Sequence, residues 1–214
     1  MAELRTEEEQ IEAIKKWWEE NGKQTLAAAV VIIGGWFGYQ AYETSVNETK
    51  AAASAVYEKA LALTASEAEE DKGQLAVYLD QLKSEYPSTV YAQFAGLLKA
   101  KDAVEAGDLS LAEQELSDVV ANAQDAALKH VATVRLARVM TAQDKADDAL
   151  ALLAKNESNA FDAEYLEAKG DALLSKGDKA AARAAYKEAM AAADRIGANN
   201  PVLKMKFDDL AVAE

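Results

Sequence analysis

Two kinds of hydrophobic pattern divide the chain. Residues 26–42 read LAAAVVIIGGWFGYQAY, an apolar run without a charged residue. From Thr44 onward, apolar and polar residues follow one another with the period of amphipathic helices, and short breaks separate the helical segments. The sequence therefore predicts an all-α protein in which one apolar helix precedes a domain of many amphipathic helices.

The apolar run is about as long as a membrane span. As an α-helix its 17 residues extend about 25 Å, near the lower limit for a hydrocarbon core of about 30 Å. Aromatic rings that suit the membrane interfaces lie around it at Trp17, Trp18, Trp36, Tyr39 and Tyr42. We interpret residues 25–42 as a transmembrane helix in contact with the lipid bilayer.

Two alternatives compete with the transmembrane interpretation. A cleaved signal peptide is disfavoured because 25 residues precede the run and because Tyr39-Gln40-Ala41-Tyr42 is a poor cleavage site. A buried core helix is disfavoured because the run lacks the polar stripe that such a helix normally shows.

Basic residues predict the orientation of the span. Four of them precede the run and two follow it within about 20 residues. They are Arg5, Lys15, Lys16 and Lys23 before the run, and Lys50 and Lys59 after it. This asymmetry favours a cytoplasmic N-terminus and places the domain of residues 43–214 on the opposite side of the membrane.

Residues 1–24 are predicted to form a cytoplasmic segment with a short amphipathic helix. Ile11, Ile14, Trp17 and Trp18 share one helical face, which suits the surface of a membrane. The alternative is that these side chains only anchor the end of the span. Asn21-Gly22 is expected to break the helix before the span begins.

Two glycines are candidates for helix packing within the span. Gly34 and Gly38 form a G-x-x-x-G motif, and small residues at that spacing allow a second transmembrane helix to approach closely.

The region after the span is predicted to hold nine helices. They are expected near 44–65, 73–85, 89–106, 109–122, 125–142, 146–154, 160–175, 179–194 and 201–212. The breaks between them recur, because Asp108 and Asp144 are 36 positions apart and Asp144 and Asp178 are 34 apart. A period near 34 with two helices per unit is typical of the tetratricopeptide repeat (TPR).

One unit carries the repeat pattern most clearly. Small residues occupy the positions where paired helices touch, and larger ones fill the space between them: Leu166, Gly170, Leu173, Gly177, Ala182, Tyr186 and Ala189. Single repeats cannot bury their apolar faces alone, so we expect a TPR-like helical-repeat solenoid. A plain antiparallel helical bundle is the alternative.

Composition and charge exclude several functions. The net charge of −14 disfavours nucleic-acid binding, because phosphates would be repelled. The chain has no cysteine, and its one histidine, His130, cannot hold a metal alone. No phosphate-binding loop and no catalytic group of residues is recognisable. The sequence predicts no enzyme activity, no cofactor and no small-molecule substrate.

A protein-binding groove is expected along the first helix of each repeat. The candidate residues, in chain order, are Phe94, Leu97, Lys101, Val104, Val131, Val134, Arg138, Glu164, Glu167 and Asp171. The groove is predicted to be apolar at its N-terminal part and acidic at its C-terminal part. Such a surface favours polypeptide segments with apolar and basic residues. It lacks the Lys/Asn/Arg set that would clamp a C-terminal carboxylate.

Three segments together resemble a known family. They are IEAIKKWWEENG at 11–22, VRLARV at 134–139 and GDALLSKGDK at 170–179, in this order around a membrane span. This combination resembles the YfgM family, membrane-anchored tetratricopeptide-like proteins of the Gram-negative inner membrane. The resemblance extends from about residue 8 to 212.

The resemblance implies a function that the residues alone do not. Members of this family are ancillary subunits of the SecYEG translocon with a periplasmic repeat domain. They associate with the channel and with a membrane-anchored periplasmic chaperone of the prolyl-isomerase-like type, and they assist secretory polypeptides. Restraint of a cytoplasmic stress-response regulator is a second role proposed for the family. The alternatives are a scaffold for another envelope-assembly machine, or a regulator that acts through residues 1–25.

Overall fold

The computed structural model describes residues 7–66, 68–155 and 159–210, which divide into two compact units after Ala52. Helices account for nearly all of this part of the chain, and it contains no strand. The first helix, α1, extends from Glu7 to Leu63. Its residues up to Ala52 belong to the first unit, and its residues from Ala53 onward belong to the second.

The first unit exposes its apolar side chains. Within the described residues, α1 is the one helix that is long and apolar enough to cross a membrane, and none of its most apolar window is buried. Val31 is 72% exposed and Ile32 69%. A core helix of a soluble domain would be mostly buried, so the core-helix alternative does not fit this helix.

The expected break at Asn21-Gly22 is absent, and α1 is continuous from Glu7 to Leu63. The side chain of Trp18 covers Gly22, and Asn21 Nδ2 donates to the carbonyl of Trp17 at 3.1 Å. Helix formation is cooperative, so a single Asn-Gly step between two long helical stretches does not stop it. The first predicted helix of the repeat region, 44–65, is therefore the C-terminal part of α1.

The second unit holds eight more α-helices among the described residues. They are α2 (Glu69–Glu85), α3 (Val90–Glu105), α4 (Leu109–Asn122), α5 (Ala126–Ala142), α6 (Ala146–Leu153), α7 (Asp162–Ser175), α8 (Lys179–Arg195) and α9 (Pro201–Asp208). A 3₁₀ turn, Asn159–Phe161, precedes α7. The predicted helix at 201–212 ends at Asp208, and residues 211–212 lie outside the described part.

Two helix pairs, α3–α4 and α7–α8, share one type of turn. Gly107 and Gly177 adopt positive φ angles of 79° and 83°. The next residue in each turn, Asp108 or Asp178, accepts a hydrogen bond from a backbone N–H three residues ahead and so caps the second helix of the pair. The recurring Gly-Asp dipeptide is thus a helix stop followed directly by a helix start.

The α5–α6 turn reaches the same geometry with different residues. Asp144 has a φ of 62°, and the N–H of Lys145 donates to the carbonyl of Met140 at 2.9 Å. Asp144 is therefore equivalent to Gly107 and Gly177, and not to Asp108. Equivalent positions are 37 and 33 residues apart. The predicted period was sound, but its alignment was wrong by one residue at this turn.

Close contacts between small and large side chains hold the pairs together. The Tyr186 side chain is fully buried, and its ring lies against Gly170 of the facing helix. Gly96 leaves room for Val119 of α4 in the same way. These contacts, with the eight-helix order, confirm the all-α, TPR-like expectation.

The contact at Gly170 gives a direct test of the packing. A Cβ at this position would overlap the Cε1 and Cδ1 atoms of the Tyr186 ring. We expect Gly170→Ala to destabilise the protein by about 1–3 kcal/mol, because overpacking outweighs the gain in helix propensity. The measurement is thermal unfolding of the full chain in detergent, followed by circular dichroism.

Gly73→Ala is the matched control, because Gly73 lies in α2 with no atom within 4 Å of its added Cβ. This change should stabilise the helix by up to about 1 kcal/mol. A Gly170→Ala variant that unfolds at or above the parent temperature would contradict the packing described here.

Candidate protein-binding surface

A cleft opens between α3 and α5 on the second unit. Its volume is about 360 Å³, and its apolar side chains come from three helices. Leu97, Ala100 and Val104 lie on α3, Val139 lies on α5, and Leu116 of α4 is buried between them. Lys101, Glu105, Arg135 and Arg138 complete the lining. We call this feature the α3–α5 cleft.

Helix periodicity brings these side chains together. Leu97, Lys101 and Val104 follow one another at intervals of four and three residues and so share one face of α3. Arg135 and Arg138 do the same on α5. Four of the residues predicted for the groove, Leu97, Lys101, Val104 and Arg138, lie in this cleft.

An aromatic group lies near the start of α3. The rings of Tyr57, Tyr91 and Phe94 have centroids 5.5–6.4 Å apart, and all three side chains are half-buried. Phe94 and Leu97 both pack against the buried cluster of Val119, Leu128 and Ala132. Tyr57 and Tyr91 were missed in the sequence because aromatic residues give no sign of which helices will meet.

The valines predicted on α5 differ in exposure. Val131 is 37% exposed and remains available for contact. Val134 is 6% exposed and packs into the core with Ala137 and Ala168. A side chain that fills the space between helices cannot also face a ligand, so Val134 does not belong to the surface.

Two of the acidic residues predicted for the groove are neutralised within the domain. Lys206 Nζ of α9 lies 2.8 Å from Glu167 Oε1 and 2.7 Å from Asp171 Oδ1. Asn200 donates a further hydrogen bond to Glu167 at 3.1 Å. Arg138 approaches the same carboxylates at 3.5 Å and 3.9 Å. We call Glu167, Asp171 and Lys206 the α7–α9 ion cluster.

Tyr186 completes this cluster. Its hydroxyl donates to Asp171 Oδ1 at 2.8 Å. Burial, together with the hydrogen bond and the nearby charge of Asp171, raises the pKa of Tyr186 well above its usual value. The hydroxyl therefore remains a proton donor, and the Asp171 carboxylate is further satisfied from inside the domain.

The ion cluster alters the expected charge of the groove. Glu167 is buried and paired, and Asp171 is largely covered, while Glu164 alone of the three is exposed. The sequence prediction counted all three as free acidic groups because the partner, Lys206, lies 35 residues beyond Asp171. Sequence patterns within one repeat give no indication of such a pairing.

A second ion cluster joins α2, α3 and α4. Glu115 is 3% exposed and pairs with Lys83 and, at 3.3 Å, with Lys99. Burial by itself lowers the pKa of Lys99, but hydrogen bonds to Asp80 and Glu115 outweigh it and leave the pKa raised. Lys99 thus stays charged and ties the three helices together.

His130 is a packed residue. Its ring stacks on Phe161 with centroids 4.5 Å apart, and Nδ1 lies 2.9 Å from the Tyr165 hydroxyl. Over the described ranges, no three His, Cys, Asp or Glu side chains are grouped so as to hold a metal ion.

The two glycines of the candidate membrane span are open to contact. A Cβ added at Gly34 or Gly38 would meet nothing within 4 Å. The G-x-x-x-G face is thus unoccupied by the described part of the chain, and packing against a partner helix remains a prediction.

The fold and the surface define a class of protein, a helical-repeat protein with one helix suited to a membrane. Residues 15–212 match the family model of a tetratricopeptide repeat-like domain. Similar proteins from Haemophilus influenzae (31% identical, covering 95% of this chain and 97% of the relative) and Escherichia coli (31%, 96% and 97%) are each named ancillary SecYEG translocon subunit. A protein from Aggregatibacter actinomycetemcomitans has the same name. It is 35% identical, and the match covers 88% of this chain and 91% of the relative.

The chain belongs to this family of ancillary SecYEG translocon subunits, the YfgM family. No solved structure matches the chain.

The α7–α9 ion cluster can be tested by removing its cation. We expect Lys206→Met to lower the free energy of unfolding by about 1–3 kcal/mol, because a buried and a half-buried carboxylate lose their closest partner. Lys187→Met is the control, since Lys187 is exposed on α8 and has no ion pair among the described residues. Chemical unfolding of the two variants in detergent measures the difference. Equal stability of both would show that Lys206 is not needed.

Proposed function

We propose that this protein is a non-enzymatic accessory subunit of the Sec translocon that links the channel to periplasmic chaperones. The observation that carries the proposal is membership of the family of ancillary SecYEG translocon subunits. The similarity to those relatives extends over nearly their whole length. The unburied apolar stretch of α1 and the apolar α3–α5 cleft support a scaffold that sits in a membrane and contacts other proteins.

The proposed topology is a single pass of the bacterial inner membrane with the N-terminus in the cytoplasm. Residues 1–24 form the cytoplasmic segment, 25–42 the span and 43–214 the periplasmic domain. Lys15, Lys16 and Lys23 before the span support this orientation, and Arg5, which points the same way, lies outside the described residues.

The proposed partners are polypeptides. The SecYEG channel is expected to contact the span, and a membrane-anchored chaperone of the prolyl-isomerase-like type is expected to contact the periplasmic domain. The α3–α5 cleft with Phe94 and Val131 offers an apolar surface on which such a chaperone or a secretory polypeptide can dock. Glu164 is proposed to lie at the edge of that surface.

Affinity purification from native membranes tests the association. A tagged chain, extracted in mild detergent, should recover channel subunits together with a periplasmic chaperone, and protease added to spheroplasts should digest the 43–214 domain. Recovery of neither partner would refute the proposed function. Crosslinks dominated by outer-membrane assembly factors would favour the envelope-scaffold alternative, and a protected domain would overturn the orientation.

Packing through the transmembrane glycines can be tested in the same purification. We expect a Gly34→Leu and Gly38→Leu double variant to recover several-fold less channel, because leucine at both positions keeps a partner helix away. Gly35→Leu is the matched control. Gly35 is equally open but lies about 100° around the helix from Gly34. Unchanged recovery by the double variant would show that this face does not contact the channel.

A further inference from the structure

The α3–α5 cleft combines an apolar floor with basic walls in a strongly acidic protein. Three cations line it, Lys101, Arg135 and Arg138, and one carboxylate, Glu105. The whole chain carries a net charge of −14. The sign of the charge around the cleft is therefore opposite to that of the molecule.

The cations of the cleft are available to a ligand. Arg135 is exposed and has no ion-pair partner in the described part of the chain. The Lys101 side chain is 57% exposed, and its contact with Glu105 at 3.0 Å is a surface pair one helical turn away. Such pairs contribute little to stability, so Lys101 can exchange Glu105 for a ligand carboxylate at low cost.

Arg138 is also only loosely held. Its contacts with Glu167 and Asp171 are 3.5 Å and 3.9 Å long, and its side chain is 45% exposed. The same carboxylates have a closer partner in Lys206, at 2.7–2.8 Å. Lys206 balances one of these two negative charges, so Arg138 contributes to balancing the other while its exposed side chain also lines the cleft.

We propose that the α3–α5 cleft binds a polypeptide segment in which apolar residues are flanked by acidic ones. The apolar side chains would fill the space between Leu97, Val104 and Val139, and the carboxylates would pair with Lys101 and Arg135. This preference is the reverse of the apolar and basic ligand that the sequence suggests. It rests on the proposed protein-binding role of the cleft, and it does not depend on association with the channel.

Two labelled peptides test the preference. They share one apolar core and differ only in their flanking residues, which are Glu in one peptide and Lys in the other. Binding to the full chain in nanodiscs of zwitterionic lipid is measured by fluorescence anisotropy, with empty nanodiscs as the blank. The acidic peptide should bind about 5- to 10-fold more tightly, and the difference should shrink as salt is added.

A charge-reversed variant locates the effect. Lys101→Glu with Arg135→Glu should abolish or invert the preference. Lys187→Glu with Lys204→Glu is the matched control, because it changes the net charge equally at two exposed lysines outside the cleft. Val104→Asp should weaken both peptides, since it removes the apolar wall. Circular dichroism checks that each variant keeps its helices.

Several outcomes would overturn the proposal. They are equal binding of both peptides, tighter binding of the basic one, no binding of either, or the same loss in the control variant. Displacement of the labelled acidic peptide by a short RNA as effectively as by the unlabelled acidic peptide would show a general anion site instead. Failure of the peptide test leaves the translocon association standing, because co-purification with the channel tests that association separately.

Discussion

A single lysine shared by two carboxylates determines how the last repeats close. Lys206 reaches from α9 to Glu167 and Asp171 on α7, and a buried carboxylate without such a partner would be strongly unfavourable. The terminal helix therefore does more than cover the apolar end of the last repeat with Leu203. Together with Arg138 of α5 it balances the charge of these two carboxylates, and Tyr186 adds a hydrogen bond from α8.

This neutralisation distinguishes the two gaps between the first helices of successive repeats. Between α5 and α7 the space is occupied by the carboxylates, Arg138 and Lys206. Between α3 and α5 the described residues form no such cluster, and Leu97, Val104 and Val139 line an open cleft. The place where a partner can dock thus depends on where charge is satisfied internally, as well as on where apolar side chains are exposed.

The first helix follows a different constraint. Its apolar residues face outward from Leu26 to Tyr42, which suits lipid and not water. This helix is continuous from Glu7 to Leu63, and the candidate span lies within it. Cooperativity of the helix overrides the local signal of Asn21-Gly22, which was the main error of the sequence-based prediction.

The repeat architecture was predictable because its determinants are local. Gly107 and Gly177 end helices through their positive φ angles, the following aspartates begin the next helices, and Gly170 faces Tyr186 across a pair that is close in sequence. The middle turn was misaligned by one residue because Asp144 takes the conformation that glycine takes elsewhere. The residue preferences of helices and turns do not indicate that Asp144 adopts a positive φ angle here.

The sequence by itself determined the all-α class, the apolar helix, the repeat period and the residues that could line a groove, since each depends on spacing along one or two helices. Only the tertiary structure decided which of those residues are free. Val134 is buried in the core, and Glu167 and Asp171 form ion pairs with a lysine 35 or more residues away. Arg135 is exposed and has no ion-pair partner in the described ranges. Burial and charge pairing are set by contacts between helices that are distant in sequence, and these contacts determine the sign of the charge a partner meets.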